Sequence, residues 1–247
     1  MQLQEVFDQL SSSEFSQLSL GGLSPGVIDA GNWSRVVDHI NLALTALHTR
    51  FTLKEGRLVL GIRGDTTEYK LKSPYAVNAV GSMQPNRYIL DTSAQPFLDD
   101  IAKVESVLTA EGIELGLNNL ADVYSVATPS ALVLRIPAEM AVPTSETPDW
   151  LKTKTLTVVY RATHPKIVVG TSFRPSQVEV QLPDSHLEAL LYYVASRAHS
   201  PVGMSNEFHM GNSYYAKYEA VCQNLEARGM QVDQGAQNQR LVQNGWV

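Results

Sequence analysis

The sequence predicts an α+β protein: a helical bundle built from N- and C-terminal helices, an inserted antiparallel β module, and an extended C-terminal tail. Three observations predict it. An apolar stripe of helical period runs through 33–51. Two more helical stripes occupy 182–229. Between them the chain breaks into short β-prone runs punctuated by Gly, Pro and Asp. The expected divisions are 1–55 for the N-terminal helical part, 56–181 for the β module, 182–229 for the C-terminal helices and 230–247 for the tail.

Residues 1–17 read as two short helical turns, with Val6, Leu10 and Phe15 as their apolar side chains. The Gly, Ser and Pro of 18–32 read as loop. In 33–51, Val36, Val37, Ile40, Leu44, Leu47 and Phe51 line one helical face, with Asn32 or Ser34 as N-cap. Strands are expected at 57–63, 66–72 and 86–92, the first two joined by a turn at Gly64-Asp65. The segment from Phe97 to Asn119 is ambiguous. Ile101, Val104, Val107 and Leu108 fit a helix, whereas Ala110-Glu111-Gly112 before IELGLN fits a hairpin. Further strands are expected at 121–127, 130–137, 155–162, 166–170 and 177–183, with 137–154 an exposed loop because of its prolines. The best-formed helix is LPDSHLEALLYYVASRA. Leu187, Leu190, Leu191, Val194, Ala195 and Ala198 share a face, and Ser185 with Glu188 suggests a capping box behind Pro183. A last helix at 206–228 carries Tyr214, Tyr218, Val221, Cys222 and Leu225 and stops at Gly229. Beyond it the chain has no period, many amides and little to bury, and is expected to be extended or disordered when free.

Bulk properties narrow the function. Lys and Arg number 19 against 25 Asp and Glu, giving −6, and no basic run appears, which argues against broad contact with nucleic-acid phosphates. A single cysteine makes neither an internal disulfide nor a thiolate zinc site. MQLQEVFDQL lacks the pattern of a signal peptide, and no window approaches the ~20 apolar residues of a membrane span. The expectation is a soluble protein made in a cytoplasm, with no membrane partner. No nucleophile elbow, Walker loop, dinucleotide fingerprint or H-E-x-x-H spacing occurs. His39 and His48 stand on opposite sides of one helix, about 180° apart, and read as helix-surface or core-edge residues. GGLSPG at 21–26 reads as a linker, Asp99-Asp100 as a solvated pair, and Cys222 as a small buried hydrophobe. No catalytic residue, metal ligand or cofactor is assigned. A hydrolase with a helical cap is the remaining enzymatic reading, and it lacks a convergent nucleophile or metal set.

Aromatic residues carry more. Tyr192, Tyr193, Tyr214, Tyr215 and Tyr218 cluster on the last two helices. They either pack those helices together or form a subunit interface, where tyrosine is enriched. Trp246, alone in a polar tail, reads as an anchor for a partner's pocket.

The order LTVVYRATHPKI, VEVQLP, LPDSHLEALLYYVASRA and YYAKYEAVCQNL resembles the head-to-tail adaptor (connector, or tail tubular) proteins of short-tailed bacteriophages. DDIAKVESVLTAEGIELGLNN with DVYSVATPSALVLRIP is similar to that family's central β region, which favours the hairpin. NWSRVVDHINLALTALHTRFTLKEGRLVL is similar to its first long helix running into a strand. The Pro-rich stretch 137–154 departs from the pattern. The resemblance implies a non-enzymatic virion protein of the head–tail neck, made in the bacterial host. It implies a homo-oligomeric ring, twelve-fold, beneath the portal protein, which carries the tail (nozzle or tube) protein. Genomic DNA would pass through without specific binding. It also implies that the C-terminal segment docks on the portal, through Arg240, Leu241, Val242, Gln243, Trp246 and Val247. Another ring of the same neck or tail, such as a terminator or completion protein, is the alternative.

Overall fold

The structure is a computed structural model describing residues 1–16, 18, 24–79, 81, 83–119, 121–199 and 205–230, with 205–208 by backbone alone. In chain order its elements are α1 (Leu3–Ser12), α2 (Trp33–Arg50), β1 (Glu55–Gly61), β2 (Glu68–Lys70), β3 (Ile101–Thr109), β4 (Glu114–Leu115), β5 (Ala127–Ser130), β6 (Val133–Arg135), α3 (Ala138–Ala141), β7 (Thr155–Ala162), α4 (Leu187–Ala198) and α5 (Ser205–Ala227). The class is α+β. Two compact units divide the chain: Lys54–Thr163, and Met1–Leu53 together with the chain from His164 onward.

The helical unit is built on apolar stripes. Val36, Val37, Ile40, Leu44 and Leu47 of α2 are buried with Leu190, Leu191, Val194 and Ala195 of α4 in one core. Leu3, Val6 and Leu10 of α1 and Phe15 join it, as do Tyr218, Cys222 and Leu225 of α5. Each fully buried leucine stabilises the unit by about 1.5–3 kcal/mol. Phe7 is buried as well, although the sequence gives it no special mark. Gly229, at φ +69°, ends α5. Met230 N donates to Leu225 O and Gly229 N to Glu226 O, both at 3.0 Å, the bond pair of a Schellman cap.

The β unit holds two antiparallel sheets, ordered β1-β7-β3-β4 and β2-β6-β5. β7 is central, and Leu156, Val158, Val159, Tyr160, Arg161 and Ala162 are all buried, which accounts for its apolar, β-branched composition. The segment after β3 is a hairpin: Thr109 N donates to Ile113 O at 2.9 Å, and Gly112 makes the turn at φ +85°.

Several expectations are corrected. The strand expected at 86–92 is reduced to isolated bridges at Ile89, to Leu60 and to Ala76. The Asp91 carboxylate accepts bonds from Asn78 N at 2.9 Å and Phe97 N at 3.3 Å, which turns the chain away. Residues 121–125 form turns rather than a strand, because Asn119 Oδ1 and Asp122 Oδ1 take the amides of Ala121 and Tyr124, and Val126 makes an isolated bridge to Leu117. The loop at 137–154 contains α3 and a 3₁₀ turn at Asp149–Leu151, burying Met140 and Leu151. Pro137 and Pro148 stand at the caps of these helical turns, where their missing N–H costs nothing.

Neither 166–170 nor 177–183 enters a sheet. Ile167 is instead paired by a side chain: its N donates to Asn41 Oδ1 and its O accepts from Asn41 Nδ2, both at 2.9 Å. The module therefore closes at Thr163, not at 181, and 164–181 packs with the helices. Ser185 forms no capping box, since it lies inside a 3₁₀ turn, Asp184–His186, and its Oγ meets His186 Nδ1 at 3.0 Å. His48 is fully buried, not a surface or core-edge residue.

Candidate interaction surfaces

Five tyrosines and one arginine organise the contact of α4 and α2 with α5. Tyr193 meets Tyr218 edge-on at 5.1 Å between ring centres, and Tyr192 lies 6.2 Å from Tyr214. Tyr215 is 5.7 Å from Tyr218, and His199 stacks on Tyr214 at 5.2 Å. Lys217 Nζ sits 5.0 Å from the Tyr214 ring centre and 5.5 Å from that of Tyr192, a cation over two aromatic faces. Burial raises the phenols of Tyr192, Tyr214, Tyr215 and Tyr218, so they stay neutral donors at ordinary pH.

The sequence grouped these five residues, but they do not share one environment. Tyr218 is 4% exposed and spent inside the subunit, so it has no surface to offer a neighbour. Tyr192, Tyr193 and Tyr214 are half-buried between the helices. Tyr215, 49% exposed, is the one that presents a ring to solvent.

Arg50, at the end of α2, holds α5 through two carboxylates a heptad apart. Its Nη1 lies 2.8 Å from Glu219 Oε2 and its Nε 2.5 Å from Glu226 Oε1. The hydrogen bond to Glu226 is the largest influence holding the guanidinium charged. Cys222 lies on the same face, buried, and burial pushes its thiol up, away from the reactive thiolate. The sequence missed this clamp because Arg50 and its partners are some 170 positions apart.

Other candidates resolve into structure. Asp100 accepts from Lys54 Nζ at 3.1 Å and from the Tyr160 hydroxyl at 3.0 Å, so it is not a solvated carboxylate. Asp99 adopts φ +59° and accepts from Ser73 Oγ at 3.3 Å. Among the described residues no group of His, Cys, Asp and Glu is arranged to hold a metal, and no helix is long and apolar enough to cross a membrane. A cleft of about 690 Å³ in the β unit lies between Gly64–Glu68 and Ala138–Thr144. Of its three carboxylates, Asp65 and Glu68 are taken by Arg63 and Arg135 and Glu139 stands on α3; among the described residues no Ser, Cys, His or Lys lines it. The first half of GGLSPG, 21–23, lies outside the described residues, and Ser24-Pro25-Gly26 forms a turn with Gly26 at φ +77°. All six expected portal-docking residues, Arg240, Leu241, Val242, Gln243, Trp246 and Val247, also lie outside the described residues.

No protein-family model matches the chain, and no curated protein matches it either.

Proposed function

We propose that the chain is a head-to-tail adaptor of a short-tailed bacteriophage, a non-enzymatic subunit of a ring that joins the portal to the tail. One observation carries the reading. α5 is a 23-residue helix held by a narrow stripe, Tyr218, Cys222 and Leu225, and by Arg50. Tyr214 and Val221 flank that stripe half-buried, while Met210, Tyr215, Ala216 and Ala220 face outward without charge. Such a helix suits a ring in which each subunit packs against the next, a head-to-tail contact that must close on itself. In this reading Tyr215 faces the neighbouring subunit. Arg240, Leu241, Val242, Gln243, Trp246 and Val247 form a latch that orders on the portal, at an entropic cost repaid by its contacts. The net charge of −6 suits a channel through which duplex DNA slides. Purified rings that retain duplex DNA at moderate salt would contradict that last point.

Native mass spectrometry tests the whole. The full chain, and a chain ending at Met230 so that the Gly229 cap is kept, are each measured alone and with portal rings of the same virus. The full chain is expected to load the ring in multiple copies and the shortened chain to fail. Loading by both removes the latch and keeps the adaptor. Loading by neither removes the adaptor and makes the tail components the next bait.

A further inference from the structure

The segment 178–182 runs extended through the helical unit without joining a sheet. On one side it is paired by the N-terminus: Leu3 N donates to Val178 O, and Val180 N to Met1 O, both at 2.9 Å. On the other side the partners are imidazoles. Gln181 N donates to His164 Nε2 at 3.0 Å, and Gln181 O lies 3.3 Å from His48 Nε2. Two histidines thus take the place of a neighbouring strand at one residue. Their rings meet edge-on at 5.5 Å. A third, His186, stands five residues on, edge-on to Phe51 at 4.8 Å.

Partner chemistry sets the tautomers. A peptide N–H only donates, so His164 Nε2 is a bare acceptor. His164 Nδ1 then carries the proton, which it gives to Pro165 O at 2.6 Å. A carbonyl only accepts, so His48 Nε2 is a donor. His186 is 3% exposed; its Nδ1 meets Ser185 Oγ, and its Nε2 is buried without a hydrogen-bond partner.

We propose that this imidazole clamp is an acid-release latch: on acidification His164 and His186 take up protons, the clamp on Gln181 opens, and 178–186 leaves α1 and α2. A proton on His164 Nε2 points an N–H at the Gln181 N–H, so that bond is lost and the ring must turn. A proton on His186 Nε2 is a buried charge with no acceptor, beside His48. Ionised groups on the packed elements do little to offset it. The Arg50 guanidinium on α2 is taken by Glu219 and Glu226, and Lys166, Glu179, Asp184 and Glu188 are exposed to water. Burial, then the neighbouring His48, holds the His186 imidazole below the ordinary histidine value. The sign follows. Below about pH 6.5 the unfolded imidazole is the better proton acceptor, so the stability it contributes is full above that pH and is lost as pH falls toward the folded value. Val180 and Leu182 belong to the core, so release uncovers apolar surface.

Hydrogen exchange on the full chain, corrected for intrinsic rates, tests this at about pH 7.5 and about pH 5.5. Protection across 178–186, relative to β7 amides, is expected to fall on the order of tenfold. The double variant His164→Gln/His186→Phe keeps an acceptor for Gln181 N and removes both titrations at the clamp, so its loss should shrink to the share that His39 adds to the whole helical unit. A flat ratio in the wild type, or an equally steep loss in the variant, overturns the latch. Should the variant not fold, the imidazole nitrogen shifts of wild-type His164 decide. Protonation in step with the loss of protection sustains the proposal, and a neutral His164 at the lower pH, or protonation with protection kept, ends it.

Discussion

Gly56 faces Tyr160 across the β1–β7 ladder, and a Cβ added there would lie 2.3 Å from Tyr160 Cζ. The ring cannot retreat cheaply, because it is 6% exposed and its hydroxyl is held by Asp100, itself paired with Lys54. Gly56→Ala should therefore destabilise the β unit by about 1–3 kcal/mol in urea unfolding, the usual range for overpacking. Tyr160→Phe should cost about 1 kcal/mol, the worth of one hydrogen bond. In the double variant the two losses should not add, since both act on the same ring. In sequence Gly56 reads as the residue before a strand that begins at 57. Its real role is to leave room for a partner 104 positions away, and local pattern does not carry that. The buried His48 was hidden for a similar reason, because its partner is the Gln181 peptide.

At the level of elements, β3 shows how a correct pattern misleads. Its inward residues Ile101, Val104 and Val107 are spaced by three, as in a helix. Irregularities in the β3–β7 register between Ile101/Lys103 and Val104/Ser106 shift the pleat and produce that spacing. The long helices were legible because one periodic face meets one core. The expected strands at 86–92 and 121–127 failed because side chains such as Asp91, Asp122 and Asn119 bind backbone amides that would otherwise extend a ladder. The five tyrosines of α4 and α5 were legible as a cluster but not as separate environments, since helical spacing alone does not separate Tyr218 from Tyr215. Among pairings between elements, the Arg50 clamp invites a direct test. Partly exposed ion pairs are worth about 1 kcal/mol, so Arg50→Ala should raise the opening of α5 by about fivefold. Cys222 is buried beneath that helix, and its labelling rate by a thiol reagent reads the opening directly. An unchanged rate would mean that the apolar stripe alone holds α5.

Over the whole molecule the two units should respond to acid in sequence. His39 and His186 are both held below the ordinary histidine value, His39 by burial and then by Arg35 and Arg197, so the helical unit loses stability as pH falls below about 6.5. In the β unit Asp91 is lowered too, but in a more acidic window. Burial raises its carboxyl, but hydrogen bonds from the Asn78 and Phe97 amides outweigh this and leave it below the usual range. Its contribution is full above about pH 3.9 and is lost only below that. Hydrogen exchange resolved by unit along a pH series should show the helices loosening first, and simultaneous loss would refute the ordering. The division of the chain at Leu53 and His164 also sets a schedule for synthesis. The α2 stripe leaves the ribosome on the order of ten seconds before α4 is made to cover it, at translation rates of about 5–20 residues per second. Late in that interval, once Thr163 is made and before α4 follows, Lys54–Thr163 has every residue it needs to fold. A released chain ending at Thr163 should therefore show protected β7 amides and freely exchanging α2 amides, with Val36, Ile40 and Leu47 uncovered as a surface for chaperones.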